Sequence, residues 1–242
     1  MKNIKIIFSY NGSKFCGSQK QPNKQSVEDK IIKALESFGI FTKLIFSGRT
    51  DTGVHATNQC ANFFLDDFWA DDLKKFKKIV NQKLMPDIFI KHCEIVNNDF
   101  HARYSAKKRT YRYIIKTSNF DVFGSDYWYF KENIDIAKIQ NAIKYLVGTH
   151  DFEYFCKSGS DTKTFIRTVY EAKIYQYKSF AVIQLEANGF LRSQIRMIVG
   201  ALLNLSDGKI SIEDWLDQIS KIKKASTKLA PACGLYLCRI KY

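Results

Sequence analysis

No stretch of this 242-residue chain stays apolar for the roughly 20 residues that a membrane-spanning helix requires. The longest apolar run, Ile195 to Leu205, is interrupted by Arg196 and Gly200. The N-terminus enters a strand-like pattern at once, with no long apolar segment and small-residue cleavage site, so no secretory signal and a cytoplasmic location are expected. No low-complexity linker divides the chain, and the polar stretch Lys157 to Lys163 reads as a loop rather than a domain boundary. The four histidines, His55, His92, His101 and His150, show no metal-ligand spacing. Cys233 and Cys238 are wrongly spaced for a zinc deaminase, and no His-x-Glu precedes them. The sequence therefore predicts no metal site.

Acidic side chains are also scarce, 24 Asp and Glu against 38 Lys and Arg, which leaves a net charge of +14. Such a surface attracts phosphate backbones in a salt-dependent way, and nucleic acid becomes the leading partner class over a lysine-rich surface kept for solubility. The six cysteines, Cys16, Cys60, Cys93, Cys156, Cys233 and Cys238, lie mostly far apart and read as core thiols in a reducing compartment.

A hydrophobic content of 45% over this length can bury one large core or two modest ones. Asn3 to Tyr10 alternates like a half-buried strand, and a polar loop follows from Asn11 to Gln25. Ser26, with Asp29 three residues on, opens a helix whose stripe is Val27, Ile31, Ile32, Leu35 and Phe38. Lys43 to Ser47 and Asn58 to Leu65 read as strands, Asp71 to Leu84 as a basic helix, Ile88 to Val96 and Arg109 to Lys116 as strands. The second half repeats the plan loosely, with helices near Ile134 to Leu146 and Leu191 to Leu205, strands at Val169 to Tyr177 and Phe180 to Ala187, a helix from Ser211, and a last strand from Leu235. Short connections suit antiparallel neighbours. The expectation is an α+β fold with a mixed, mainly antiparallel sheet flanked by helices. It has two similar halves, 1–104 and 105–242, around a basic cleft.

Between two of those strands lies SGRTDTGVHA, Ser47 to Ala56. Asp51-Thr52-Gly53 also occurs in aspartic proteases, where two such carboxylates share a proton and activate water. This chain has one copy, followed by Val54 rather than a hydroxyl residue. An isolated Asp-x-Gly reads first as a turn in which the aspartate only bonds backbone amides. Arg49, two positions back, shifts that balance, because a nearby guanidinium favours the ionised carboxylate that a nucleophile or base requires.

SGRTDTGVHA resembles the signature of the tRNA pseudouridine synthase A family. The resemblance continues, in family order, through FHARYSAKKRTYRYII (Phe100 to Ile115), GTHDFEYF (Gly148 to Phe155), NGFLRSQIRMIVGAL (Asn188 to Leu202) and APACGLYL (Ala230 to Leu237). There are two departures: Gly17-Ser18-Gln19 stands where the family has Gly-Trp-Gln, and Tyr10-Asn11-Gly12 where it has Tyr-Asp-Gly. The resemblance implies isomerisation of uridine to pseudouridine at positions 38, 39 and 40 of the tRNA anticodon arm, by a homodimer that needs no cofactor. It makes Asp51 the catalytic carboxylate, acting at ribose C1′, at the base or at C2′. Arg196 becomes the arginine that pairs with it, Arg49 a helper in displacing the target nucleotide, and Tyr111 a platform for the extruded uracil. Read from the residues alone, Tyr111 and Tyr113 share one face of a strand and serve equally well as core aromatics.

Overall fold

The computed structural model describes residues 1–22, 24–159 and 162–242, and they fold as ten strands and six α-helices. The α+β expectation holds, with every strand pairing described here antiparallel except one. The chain divides into two compact units, Met1–Lys107 with Leu237–Tyr242, and Lys108–Tyr236.

In the first unit, strand β1 (Lys2–Tyr10) buries Ile4, Ile6, Phe8 and Tyr10 on one face, the period of two that its sequence shows. A short 3-10 turn at Gly12–Lys14 follows, capped by Asn11, whose Oδ1 accepts from the Ser13 N–H at 3.2 Å. Asn11 thus supplies the capping oxygen that an aspartate would bring to this position. Helix α1 (Val27–Glu36) opens with the anticipated capping box. Ser26 Oγ accepts from Asp29 N–H at 3.1 Å and Asp29 Oδ2 accepts from Ser26 N–H at 3.2 Å, an arrangement that stabilises the helix by about 1 kcal/mol. Strand β2 (Ile45–Phe46) is shorter than its sequence suggests, and β3 (His55–Leu65) starts three residues earlier. The helix expected over Asp71 to Leu84 is preceded by a separate turn, α2 (Asp67–Ala70). Helix α3 (Leu73–Leu84) begins where Asp72 accepts from Lys75 N–H at 2.9 Å. With β4 (Ile88–Val96), the order is β4-β1-β3, and β2 is added to β3. The C-terminal residues return to this unit: Asn58 Nδ2 donates to Cys238 O at 2.7 Å, and Tyr242 Oη donates to Ala102 O at 3.0 Å.

In the second unit, β5 (Lys108–Lys116) carries the parallel two-residue β6 (Tyr129–Phe130). Helix α4 (Ile136–Ile143) ends in a 3-10 turn and leads to β7 (Gly148–Asp151). The hairpin of β8 (Ile166–Tyr177) and β9 (Phe180–Ala187) completes the order β5-β9-β8-β7. Strands β6 and β7 are not legible in the sequence because two to four residues carry no measurable periodicity. Of the loop expected at Lys157 to Lys163, residues 160 and 161 lie outside the described residues, and the others are neither helix nor strand.

Helix α5 (Gln194–Ser206) is apolar on all sides, and only Arg196, Asn204 and Ser206 among its 13 residues escape full burial. It begins three residues later than expected because Ser193 turns left-handed at φ +58°. Gln194 Oε1 reaches back to accept from Leu191 N–H at 2.7 Å. Helix α6 (Ile212–Ile219) repeats the capping box of α1 with Ser211 and Asp214. It buries Trp215, whose indole N–H donates to Ala142 O at 3.0 Å and whose ring meets Phe155 edge-on at 5.6 Å. Strand β10 (Leu235–Lys241) ends the chain. No helix among the described residues is long and apolar enough to cross a membrane.

Candidate active site

Two of the four expected site residues, Arg49 and Asp51, belong to the first unit, and two, Tyr111 and Arg196, to the second.

Arg49 and Asp51 share the loop between β2 and β3. The turn is closed by the main chain, since the carbonyl of Asp51 accepts from Val54 N–H at 3.1 Å. Gly53 sits at φ +78°, where a side chain would be strained, which explains the glycine two positions after the acid. Arg49 is exposed and Asp51 half-buried.

The loop is held from below by polar groups that the hydrophobic pattern does not reveal. Gln59, fully buried on β3, accepts from Ser47 Oγ at 2.6 Å and from Cys60 N–H at 3.0 Å, and its Nε2 donates to Gly48 O at 3.2 Å. His55, 2% exposed, uses Nδ1 to accept from Gly12 N–H at 3.0 Å, so that nitrogen carries no proton. Tyr10 Oη lies 2.8 Å from Thr50 Oγ1. Burial pushes the Tyr10 phenol up to about 12, with Thr50 and Gln59 opposing, so it stays protonated at neutral pH. None of Tyr10, His55 or Gln59 stands out in the sequence as a support for Asp51.

In the second unit, Tyr111 and Tyr113 do lie on the same face of β5, 7% and 0% exposed. The ring of Phe190, in the connection from β9 to α5, meets Tyr111 edge-on at 5.3 Å. Tyr113 Oη donates to Pro231 O at 2.8 Å, and burial, the largest influence, raises its pKa. Arg196 is fastened to the neighbouring residue at two points. Its Nε donates to Ala230 O at 2.8 Å, and its own carbonyl accepts from Ala230 N–H at 3.0 Å. The segment Ala230–Pro231 therefore links Arg196 to the strand that carries Tyr111. Arg196 is half-buried rather than enclosed, and its guanidinium opposes the upward shift of Tyr113. Phe190 is not among the residues expected from the sequence, although it stands inside the segment NGFLRSQIRMIVGAL.

Basic side chains stand in clusters at Lys74, Lys75, Lys77 and Lys78, at Lys107, Lys108 and Arg109, and at Lys221, Lys223 and Lys224, and these differ in what they leave available. On α3, Lys74, Lys75 and Lys78 are exposed and make no ion pair with any described residue. Lys221 instead binds Asp151 at 2.8 Å and Glu153 at 2.7 Å, and Lys223 binds Asp214 at 2.7 Å. Lys108 stands 3.5 Å from Glu186. Among the described residues no group of three His, Cys, Asp or Glu side chains is placed to hold a metal ion.

A family model described as tRNA pseudouridine synthase matches residues 142–242. Proteins named tRNA pseudouridine synthase A align with the whole chain. The one from Campylobacter jejuni subsp. doylei is 42% identical over 242 residues, covering 100% of both chains. That from Wolinella succinogenes is 39% identical, covering 100% of this chain and 95% of its own. The Acetivibrio thermocellus protein is 37% identical over 247 residues, covering 100% of both. Among solved structures, a Cbf5-Nop10-Gar1 complex shows a distant likeness, with a TM-score of 0.37 and 13% identity over 83% of this chain and 44% of its own. Identity of this extent across the full length, in a chain that presents its aspartate in a braced Arg-Thr-Asp-Thr-Gly turn, leads to one conclusion: the protein belongs to the tRNA pseudouridine synthase A family.

Proposed function

We propose that this protein is an isomerase that converts uridine to pseudouridine in the anticodon arm of tRNA, at positions 38, 39 and 40, with Asp51 as the catalytic carboxylate. The reading is carried by the full-length identity to proteins named tRNA pseudouridine synthase A, and by the position of Asp51 in a turn braced from several sides.

The reaction breaks the bond from ribose C1′ to N1, turns the uracil, joins C5 to C1′ and removes the C5 proton, while N1 gains one. The atoms of substrate and product are the same, and no electrons are exchanged. A carboxylate suffices to begin it, as a nucleophile at C1′ or at the base, or as a base at C2′. The target must first leave its stack, which costs a few kcal/mol. In this proposal Arg49, exposed on the same turn as Asp51, fills the vacated space, and Arg196 is the arginine that pairs with the catalytic carboxylate. Tyr111, steadied by Phe190, stacks on the extruded uracil. The α3 lysines that make no ion pair with any described residue bind phosphates elsewhere on the tRNA. A homodimer acting in the cytoplasm completes the proposal.

The test is Asp51→Asn, which removes the charge and keeps the shape. Purified protein is incubated with an unmodified tRNA transcript, and pseudouridine is mapped. The variant should bind tRNA and form no product at positions 38 to 40. Product formed near the parental rate would sink the catalytic assignment.

A further inference from the structure

Thr50, the residue immediately before Asp51, is gripped at all three of its polar groups. Its N–H donates to Ser18 Oγ at 2.9 Å, its carbonyl accepts from Ser18 N–H at 3.2 Å, and its hydroxyl meets Tyr10 Oη at 2.8 Å. Ser18 is 1% exposed and Tyr10 5%, so on their side these bonds are largely shielded from water.

The carbonyl of Thr50 and the amide of Asp51 are halves of one rigid peptide plane. Fixing that carbonyl fixes the plane from which the Asp51 side chain projects. The Thr50 N–H lies on the plane before it, so Ser18 alone orients two successive planes, while Tyr10 holds the side chain between them. The grip is built into the backbone on the other side too. Gly17 stands at φ +93°, and a Cβ there would lie 3.0 Å from the Thr50 carbonyl oxygen. Val27 N–H and Glu28 N–H donate to Gly17 O and Ser18 O at 3.2 and 3.1 Å, which anchors the 17–18 segment to the first turn of α1. The direction of Asp51 is thereby referred to a helix and to strand β1 rather than left to a free loop.

We propose that Ser18, together with Tyr10, is a positioning residue that acts through Thr50 to aim the Asp51 carboxylate. The proposal rests on the catalytic reading of Asp51. Ser18 stands where the family resemblance expects tryptophan, which has no side-chain oxygen to accept the Thr50 N–H.

A carboxylate that must meet one atom of an extruded nucleotide loses rate when displaced by a fraction of an ångström, whereas the affinity of a whole tRNA is spread over many phosphates. Ser18→Ala, Tyr10→Phe and, in parallel, Asp51→Asn are made in the full chain. Single-turnover rate on an unmodified tRNA transcript, KM and kcat in steady state, and thermal melting are measured for each. Ser18→Ala is expected to lower the single-turnover rate and kcat by about tenfold to a hundredfold, with KM and tRNA affinity within about twofold of the parent. Tyr10→Phe, which keeps the buried ring, is expected to lower kcat by a smaller factor in the same pattern. If Ser18→Ala does not fold, Tyr10→Phe carries the test, and an unchanged kcat in it overturns the proposal. A Ser18→Ala enzyme that melts cooperatively and keeps kcat within about twofold, while Asp51→Asn is inactive, also overturns it and leaves the catalytic reading intact. So does a rate loss matched by an equal loss of folded protein. An active Asp51→Asn removes the catalytic reading itself.

Discussion

The two units secure their proposed functional residues by opposite means. In the first, polar bonds from Ser18 and Gln59 hold the main chain of the loop that carries Asp51, Tyr10 meets the Thr50 hydroxyl, and His55 at the end of the loop accepts from Gly12 N–H. In the second, Tyr111 is set by the register of β5 against β9, Thr110 opposite Glu186 and Tyr111 opposite Leu185, and Arg196 by an apolar helix. A loop held by directional bonds can place one carboxylate narrowly at small cost in total stability. A residue fixed by strand pairing and core packing cannot be loosened without loosening the unit. Damage to the first region should therefore appear in kcat, and damage to the second in stability.

The largest effect expected from this contrast is that of Asp51→Asn. It should reduce turnover by at least about a thousandfold, equivalent to roughly 4 kcal/mol, with an unchanged melting temperature. A fall in melting temperature of several degrees would give Asp51 a structural role and erase the distinction. Trp215→Ala probes the other side. Removing a fully buried indole that bonds Ala142 O and packs on Phe155 should cost about 3–5 kcal/mol of unfolding free energy in urea. The fraction that remains folded should turn over at the parental rate.

Tyr113→Phe leaves Pro231 O without its donor and should cost about 1–3 kcal/mol, measured by denaturant unfolding. Because Pro231 adjoins the residue that anchors Arg196, a small loss of kcat should accompany it. An unchanged stability would show that the carbonyl finds another donor. Lys74, Lys75 and Lys78 changed together to alanine should weaken tRNA binding and flatten the slope of log affinity against log salt by about 1 for each phosphate left without its lysine. The same changes at Lys221 and Lys223, which are already paired with carboxylates, should leave the slope nearly unaltered.

The smallest effect is electrostatic. Lys131, 2.7 Å from Asp207, holds that carboxyl below the usual range. A lowered folded pKa means that the folded state binds the proton less readily than the unfolded chain. The stabilisation is therefore complete above the ordinary carboxylate range and is lost as pH falls through the folded value. Lys131→Met should remove well under about 1–2 kcal/mol at neutral pH and flatten the decline of stability below about pH 4.

The amino-acid sequence alone determined most of the scaffold and singled out the proposed reacting group. Ser26 with Asp29 and Ser211 with Asp214 announce their helices because capping is local chemistry. The alternation in β1 and β5 announces strands because burial on one face has a period of two. The Arg-Thr-Asp-Thr-Gly turn is legible because Gly53 must adopt a positive φ. Tertiary structure alone decided that Leu237–Tyr242 return to the first unit, that the two-residue β6 joins β5 in parallel, and that Ser18, Tyr10 and Gln59 converge on the Asp51 loop. Those bonds join residues up to 40 positions apart, and a hydroxyl or amide in sequence carries no mark of which distant carbonyl it will meet. Only the closing of the chain brings donor and acceptor within about 3 Å and removes the water that would otherwise satisfy both.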